Sequence, residues 1–343
     1  MNMYEWLKSM RNFPKKKAMP LLSFPVIQIM GIDVRTLISD SNRQAEGMKI
    51  IAERTDAAAA VGFMDLSVEA ECFGAEIRFS GNEVPTITGK TISTYEEAQA
   101  LAIPKIGAGR TGLYIEGIKK ATDLIQDRPV FPCVIGSFSL AGRLLGVNEA
   151  MIYCYEEPAM VHLVLTKATE FIIAYCQAYK VAGANGVIIA EPLAGLLSPA
   201  LAAEFSSDYI KQIVEAVQDE SFIVIYHNCG ATAIKIIDSV LVTGAAAYHF
   251  GNAIKMGEIL PKIPVDKIVM GNIDPAGQFL TGSPESVRAA TLSLLNECGE
   301  YPNFIISSGC DLPPLAKWEN IEAFFAAVDE YYHFSLPRVQ TGF

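Results

Sequence analysis

Gly186-Val187-Ile188-Ile189-Ala190 and Ile223-Val224-Ile225-Tyr226 are short apolar runs rich in β-branched residues, and a helical stretch from Pro199 to Glu220 separates them. Strand, helix, strand is the sequence form of a βαβ unit, in which a parallel strand covered on both faces reads as an unbroken hydrophobic run. Moving outward in both directions, the pattern repeats. The further runs are Leu21 to Met30, Ala57 to Met64, Val130 to Gly136, Ala245 to Phe250, Lys267 to Gly271 and Asn303 to Ser307. Helical stretches alternate with them: Ser41 to Arg54, Thr111 to Gln126, Glu157 to Val181, Ala231 to Val242, Ala253 to Leu260, Pro284 to Gly299, and Trp318 to Tyr332 at the end. Ser198 before Pro199 and Ser283 before Pro284 set a cap ahead of a first-turn proline. Eight strand runs predict an α/β fold of the (β/α)8 TIM-barrel class, as one domain over residues 1–343 with no proline-rich or Gly/Ser-rich linker to divide it. Residues 66–109, with Gly74, Gly81, Pro85, Gly89 and Pro104, read as an elaborated loop after the second strand, hanging over one barrel mouth.

Composition narrows the function. Of 343 residues, 51% are hydrophobic and 19% charged, which excludes a mainly disordered chain. The 38 acidic against 27 basic residues leave a net charge of −11, so no positive field draws the chain to nucleic acid or an anionic membrane. Charged residues such as Arg143, Glu191, Lys235 and Asp238 interrupt the oiliest stretches, and Met1 to Lys17 lacks the apolar core of a signal peptide. Seven cysteines, an odd number in a chain with ample core, argue for a reducing cytoplasmic setting rather than a disulfide framework.

In a parallel barrel the loops after the strands form the active face, so polar residues just beyond each strand are the candidates. That rule selects Asp65, Ser137, Glu191, His227, Cys229, His249, Asn252, Asn272, Asp274, Ser308 and Cys310. Tyr226-His227-Asn228-Cys229-Gly230 stands out, because strand alternation points His227 and Cys229 the same way. Cys310 follows the eighth strand in Ser307-Ser308-Gly309-Cys310-Asp311, and distant loops of a closed barrel converge on one mouth. One imidazole and two thiolates suit Zn²⁺, and three protein ligands leave a fourth position for substrate. The alternative is a capped histidine beside two buried thiols. Such a sulfur-rich centre is matched to a substrate sulfur, which it would deprotonate, so the reading predicts alkylation of a thiol by an activated methyl group.

Glu191 could be a fourth zinc ligand, a catalytic proton acceptor or a partner for substrate, or else part of a salt bridge between loops. His249 could orient a ligand, bind metal or take part in catalysis. Asn272 and Asp274 could hold a cofactor or substrate, although Asp274 before Pro275 also suits a turn cap. Gly107-Ala108-Gly109-Arg110-Thr111-Gly112 matches the spacing of a dinucleotide fingerprint, but Pro104 and Lys105 break the strand that should precede it. It reads as a helix-entry loop.

Several of these segments carry a resemblance. Val84-Pro85-Thr86-Ile87-Thr88-Gly89, Tyr226-His227-Asn228-Cys229-Gly230, Gly271-Asn272-Ile273-Asp274-Pro275, and Ser308-Gly309-Cys310 followed by Pro313-Pro314 and Trp318-Glu319-Asn320 are similar to the uroporphyrinogen decarboxylase superfamily. Within it, the chain resembles the corrinoid-dependent branch, the methylcobamide:coenzyme M methyltransferases. The resemblance implies His227, Cys229 and Cys310 as zinc ligands and a methylated corrinoid, free as methylcobalamin or on a corrinoid protein, as methyl donor. It implies a small-molecule acceptor, either a thiol such as coenzyme M or tetrahydrofolate. Asp274 is closer to the decarboxylase form than to the serine-like residue of the coenzyme M branch, which leaves the acceptor open. The decarboxylase branch is the alternative, but its arginine-rich segment after the first strand is reduced here to Arg35 alone. A non-catalytic corrinoid-binding barrel is the third reading.

Overall fold

The computed structural model describes residues 1–335. A six-stranded parallel sheet runs in the order β10-β9-β8-β7-β6-β5, and β1 pairs with β4 beside it. The strands are β1 (Ala60–Val61), β2 (Glu76–Arg78), β3 (Thr86–Thr88), β4 (Val130–Phe131), β5 (Cys133–Ile135), β6 (Gly186–Ala190), β7 (Ile223–Asn228), β8 (Ala247–Phe250), β9 (Ile268–Ile273) and β10 (Phe304–Ser308). Pro132 separates β4 from β5, because a proline has no N–H to give the ladder. The third run is therefore one stave in two pieces, the first paired with β1 and the second with β6.

The first run is not a strand over Leu21 to Met30. Residues 24–25 form a turn, and Val26–Met30 is a short helix closed by Gly31 at φ 64°. An apolar run covered on every side does not tell a strand from a buried helix, and Pro25 starts the helix. The stave itself lies just upstream. The Met19 amide donates to the Ile306 carbonyl of β10 at 3.0 Å, and the Ala58 amide donates to the Ala18 carbonyl at 2.8 Å. Extended residues 18–21 thus close the ring between β10 and β1, completing a TIM barrel of eight staves.

Side chains of one parity fill the barrel interior: Met19, Leu21, Val61, Cys133, Ile188, Ala190, Ile223, Ile225, Ala247, Ile268, Met270 and Ile305. The helix Met3–Asn12 adds Met3, Leu7 and Met10 to the same cluster. It docks at the N-terminal end of the strands, where the Met3 amide donates to the Glu220 carbonyl just ahead of β7. That helix covers the floor of the barrel interior.

Outside the sheet, Ser41–Arg54, Thr111–Leu124, Pro158–Val181, Pro284–Cys298 and Trp318–Ser335 form the main helices. Pro158–Val181 is apolar and long enough to cross a bilayer, but 56% of its most apolar window is buried within the fold, as expected of a core helix. Ser198 and Ser283 cap as predicted, accepting from the amides of Leu201 and Ser286. The stretch Pro199 to Glu220 is less regular than its pattern implies, with a π-helical turn at Ala203–Ser207 before Asp208–Val217. Residues 66–109 contain the helix Val68–Cys72, an antiparallel β2–β3 hairpin and the helix Tyr95–Ala100. The Val34 amide donates to Gly81 at the hairpin tip, and Phe79 packs under Arg35 and Arg110. Gly107–Gly112 is a helix-entry loop: no strand precedes it, and Thr111 turns its hydroxyl back to accept from the Gly107 amide at 3.0 Å.

Candidate metal centre

The interior changes character one layer above Ile225, Ala247 and Ile305. The next inward positions on β7, β8 and β10 are His227, His249 and Ser307, and the strand register sets His227 directly beside His249. All three are buried. One step further out, past the strand ends, stand half-buried Cys229 and Cys310. A ligand atom from each of His227, Cys229 and Cys310 lies within 4.8 Å of the others, and His227 Nε2 is 3.4 Å from Cys310 Sγ. With bonds of about 2.0–2.3 Å at tetrahedral angles, a zinc ion needs ligand atoms about 3.6–3.8 Å apart. The three donors fit such an ion by chemistry and by spacing.

Close backbone approach brings the two sulfurs together. Gly251, at the end of β8, lies so near Cys229 that a Cβ on it would sit 2.6 Å from Cys229 Cα and Cβ. Gly309, just before Cys310, meets Asn252 in the same way, at 2.6 Å from its amide nitrogen. Neither glycine could carry a side chain without parting these mouth loops. Gly251→Ala should cost about 1–3 kcal/mol in overpacking, with Cys229 pushed off its place. Urea unfolding would measure the loss, and an unchanged midpoint would show that the loops can part freely.

Asn228 holds the turn between the ligands. Its side chain, on the outer face of β7, donates to the Glu191 carbonyl at 2.8 Å and accepts from the Gly230 amide at 2.8 Å. The Cys310 thiol lies against Cys229 sulfur, and that contact, with His227 nearby, holds Cys229 well below the ordinary thiol range. The same contact and burial push Cys310 well above it.

The remaining sequence candidates are bound into the scaffold. Glu191 is wholly buried, and its carboxylate accepts from the amides of Phe138 at 3.0 Å and Ser139 at 2.6 Å, and from the Ser139 hydroxyl. It caps the helix Ser137–Leu145, and burial pushes it up to about 7 against those hydrogen bonds. The sequence reading passed over that helix, and so the role. His249 is enclosed between His227 Nδ1 at 2.8 Å and the Ser307 hydroxyl at 2.8 Å, and burial holds its imidazole well below the usual histidine range. Asn272 donates to the carbonyls of Gly251 and Ile254, tying β9 to the loop after β8. Asp274 accepts from the amides of Ala276 and Gly277 at 3.0 Å each, a turn cap. Asp65 sits in an ionic cluster with Arg110, Ser67 and Tyr114. Ser137 pairs with Thr169, and Ser308 accepts from the Leu21 amide.

Sequence reasoning missed Ser307, Asn228, Gly251 and Gly309. Ser307 shares inward parity with Ile305, and each glycine adjoins a mouth residue already singled out, so the signals were local.

Comparison with known proteins gives the chain relatives of two kinds. A "Methylcobamide:CoM methyltransferase MtbA" of Methanosarcina acetivorans is 25% identical over 305 residues, spanning 85% of this chain and 86% of that protein. A "Uroporphyrinogen decarboxylase" of Hydrogenovibrio crunogenus is 25% identical over 292 residues, spanning 81% and 80%. Among solved structures, a methyltransferase from Methanosarcina mazei superimposes with a TM-score of 0.85 at 22% identity, over 96% of this chain and 98% of that one. Methyltransferases and decarboxylases thus both stand among its relatives, and the protein is an enzyme. The uroporphyrinogen decarboxylase (URO-D) family model matches residues 16–331, and the chain belongs to that family.

Proposed function

We propose that this protein is a zinc-dependent methyltransferase that moves a methyl group from a methylated corrinoid to a thiol acceptor such as coenzyme M. The observation that carries the reading is the convergence of His227, Cys229 and Cys310 at one mouth of the barrel. Their soft donor set favours zinc with sulfur as an added ligand over harder metals. Zinc held by these side chains would keep an incoming thiol as its thiolate at neutral pH. The protein's own part is to hold the three donors at strand ends on the mouth side, where a methyl donor can reach them. The methyl donor would approach from that side, its carbon–cobalt bond breaking as the carbon–sulfur bond forms and the electron pair staying on cobalt.

Relatives whose names describe methylcobamide:coenzyme M transfer support the donor and the acceptor class. Tetrahydrofolate would present nitrogen rather than sulfur, a poorer match to this donor set. Seven unpaired cysteines support a reducing, cytoplasmic setting.

Purified protein assayed for zinc and for methylcobalamin demethylation, with coenzyme M, homocysteine and tetrahydrofolate in parallel, tests the reading. The expected result is about one zinc per chain and turnover with a thiol. Decarboxylation of uroporphyrinogen by metal-free protein would replace this reading with the decarboxylase one. Tight corrinoid binding without zinc or turnover would leave only a binding barrel.

A further inference from the structure

We propose that Ser307 and His249 are positioning residues that fix the tautomer of His227, placing its proton on Nδ1 and leaving the Nε2 lone pair facing the two sulfurs. The inference rests on the metal-centre reading and names how the scaffold prepares that centre.

The Met19 carbonyl can only accept, and the Ser307 hydroxyl, 2.7 Å away, has a single hydrogen to give it. Ser307 Oγ must then accept from its other neighbour, His249 Nε2, at 2.8 Å. His249 is fully buried, and among the described residues its hydrogen-bond partners are His227 and Ser307, neither a carboxylate that could offset a charge, so the ring is neutral with its one proton on Nε2. His249 Nδ1 therefore carries a lone pair. It lies 2.8 Å from His227 Nδ1, and two nitrogens at that distance need one proton between them, which His227 supplies. A neutral His227 with Nδ1–H has its lone pair on Nε2, the atom 3.4 Å from Cys310 Sγ.

The chain runs carbonyl, hydroxyl, imidazole, imidazole, and its direction is set at the Met19 carbonyl, which belongs to the first stave of the barrel. Barrel closure between residues 18–21 and β10 is thus coupled to the readiness of a ligand on β7. A free imidazole divides between two tautomers and two ring orientations; this one is held in the single form that a metal can use. Partners of this kind, which hold a ligating histidine through its other nitrogen, typically change metal affinity by about 10–100-fold when removed.

The test uses the full-length protein labelled with nitrogen-15 at histidine. In the metal-free state, long-range proton–nitrogen correlation should show Nδ1–H on His227 and Nε2–H on His249. Ser307→Ala removes the acceptor for His249 and should convert both rings to tautomer mixtures. His249→Phe keeps the bulk of the ring but cannot accept, and should raise the zinc dissociation constant, read by competition with a chromophoric chelator, by about 10–100-fold. His249→Asn, whose carbonyl oxygen can take the place of Nδ1 as acceptor, should recover most of that affinity. Melting of the metal-free variants separates this effect from a loss of fold.

Nε2–H on His227 in the metal-free protein would overturn the proposal. So would a zinc affinity in His249→Phe equal to that of the parent, or no recovery in a folded His249→Asn. The tautomers are read without metal, so a parent protein that shows the expected pattern yet takes no zinc would uphold the hydrogen-bond chain and reject the metal reading instead.

Discussion

Cys310→Ser should strip the centre of zinc and abolish methyl transfer. A serine oxygen is harder than sulfur and stays protonated at neutral pH, so the substitution removes a ligand rather than exchanging one. Zinc bound by small protein sites is worth about 10–16 kcal/mol, so one ligand in four carries about 2.5–4 kcal/mol, or roughly two to three decades of affinity. Metal content after dialysis against a weak chelator should fall from about one zinc per chain to near none, and methylcobalamin turnover should fall at least a hundredfold with it. The fold should survive, because Cys310 is half-buried at the rim while the barrel interior beneath it is packed by other residues. A Cys310→Ser protein that retains both zinc and turnover would refute the proposed centre.

Arg110→Met should be the most destabilising single change outside the centre. The Arg110 side chain is only 9% exposed and Asp65 is wholly buried; Arg110 pairs with that carboxylate, with Glu71 at 2.6 Å and with the Ser67 hydroxyl at 2.7 Å. Its guanidinium also covers the Phe79 ring of the hairpin at 5.1 Å. Removing one partner of a buried pair leaves the other charged and uncompensated, which costs about 3–5 kcal/mol. The shift should appear in the urea midpoint. Removing both partners in Arg110→Met with Asp65→Leu should return much of the loss, since no charge is then stranded. A single variant within 1 kcal/mol of the parent (about a fivefold change in folding equilibrium) would mean that water reaches Asp65 once the arginine is gone.

The same arginine shows how a motif can be read correctly for its context and still hide its role. Gly107–Gly112 has the spacing of a phosphate loop, and the break at Pro104 argues against that use. Only the folded chain brings Arg110 over Asp65, 45 positions earlier, making the loop a clamp between β1 and the β2–β3 hairpin. Leu21 to Met30 shows the opposite limit. Its apolar character fits a strand or a buried helix equally well, and the choice fell to Pro25 and Gly31 at its turns and to the barrel gap that residues 18–21 fill.

Sequence alone determined the βαβ rhythm, the barrel class and the meeting of His227, Cys229 and Cys310, because each follows from short-range periodicity and from the rule that loops after parallel strands share a mouth. Tertiary structure alone decided what the other polar residues at that mouth do. Glu191 caps a helix 52 to 53 positions away, and His249 meets Ser307 across 58 positions. Each of these side chains is polar and sits near a strand end, so in sequence they look alike. What separates them is which hydrogen-bond partner the packed barrel brings within 3 Å, and that partner is set by strand register and helix placement, which no local pattern encodes.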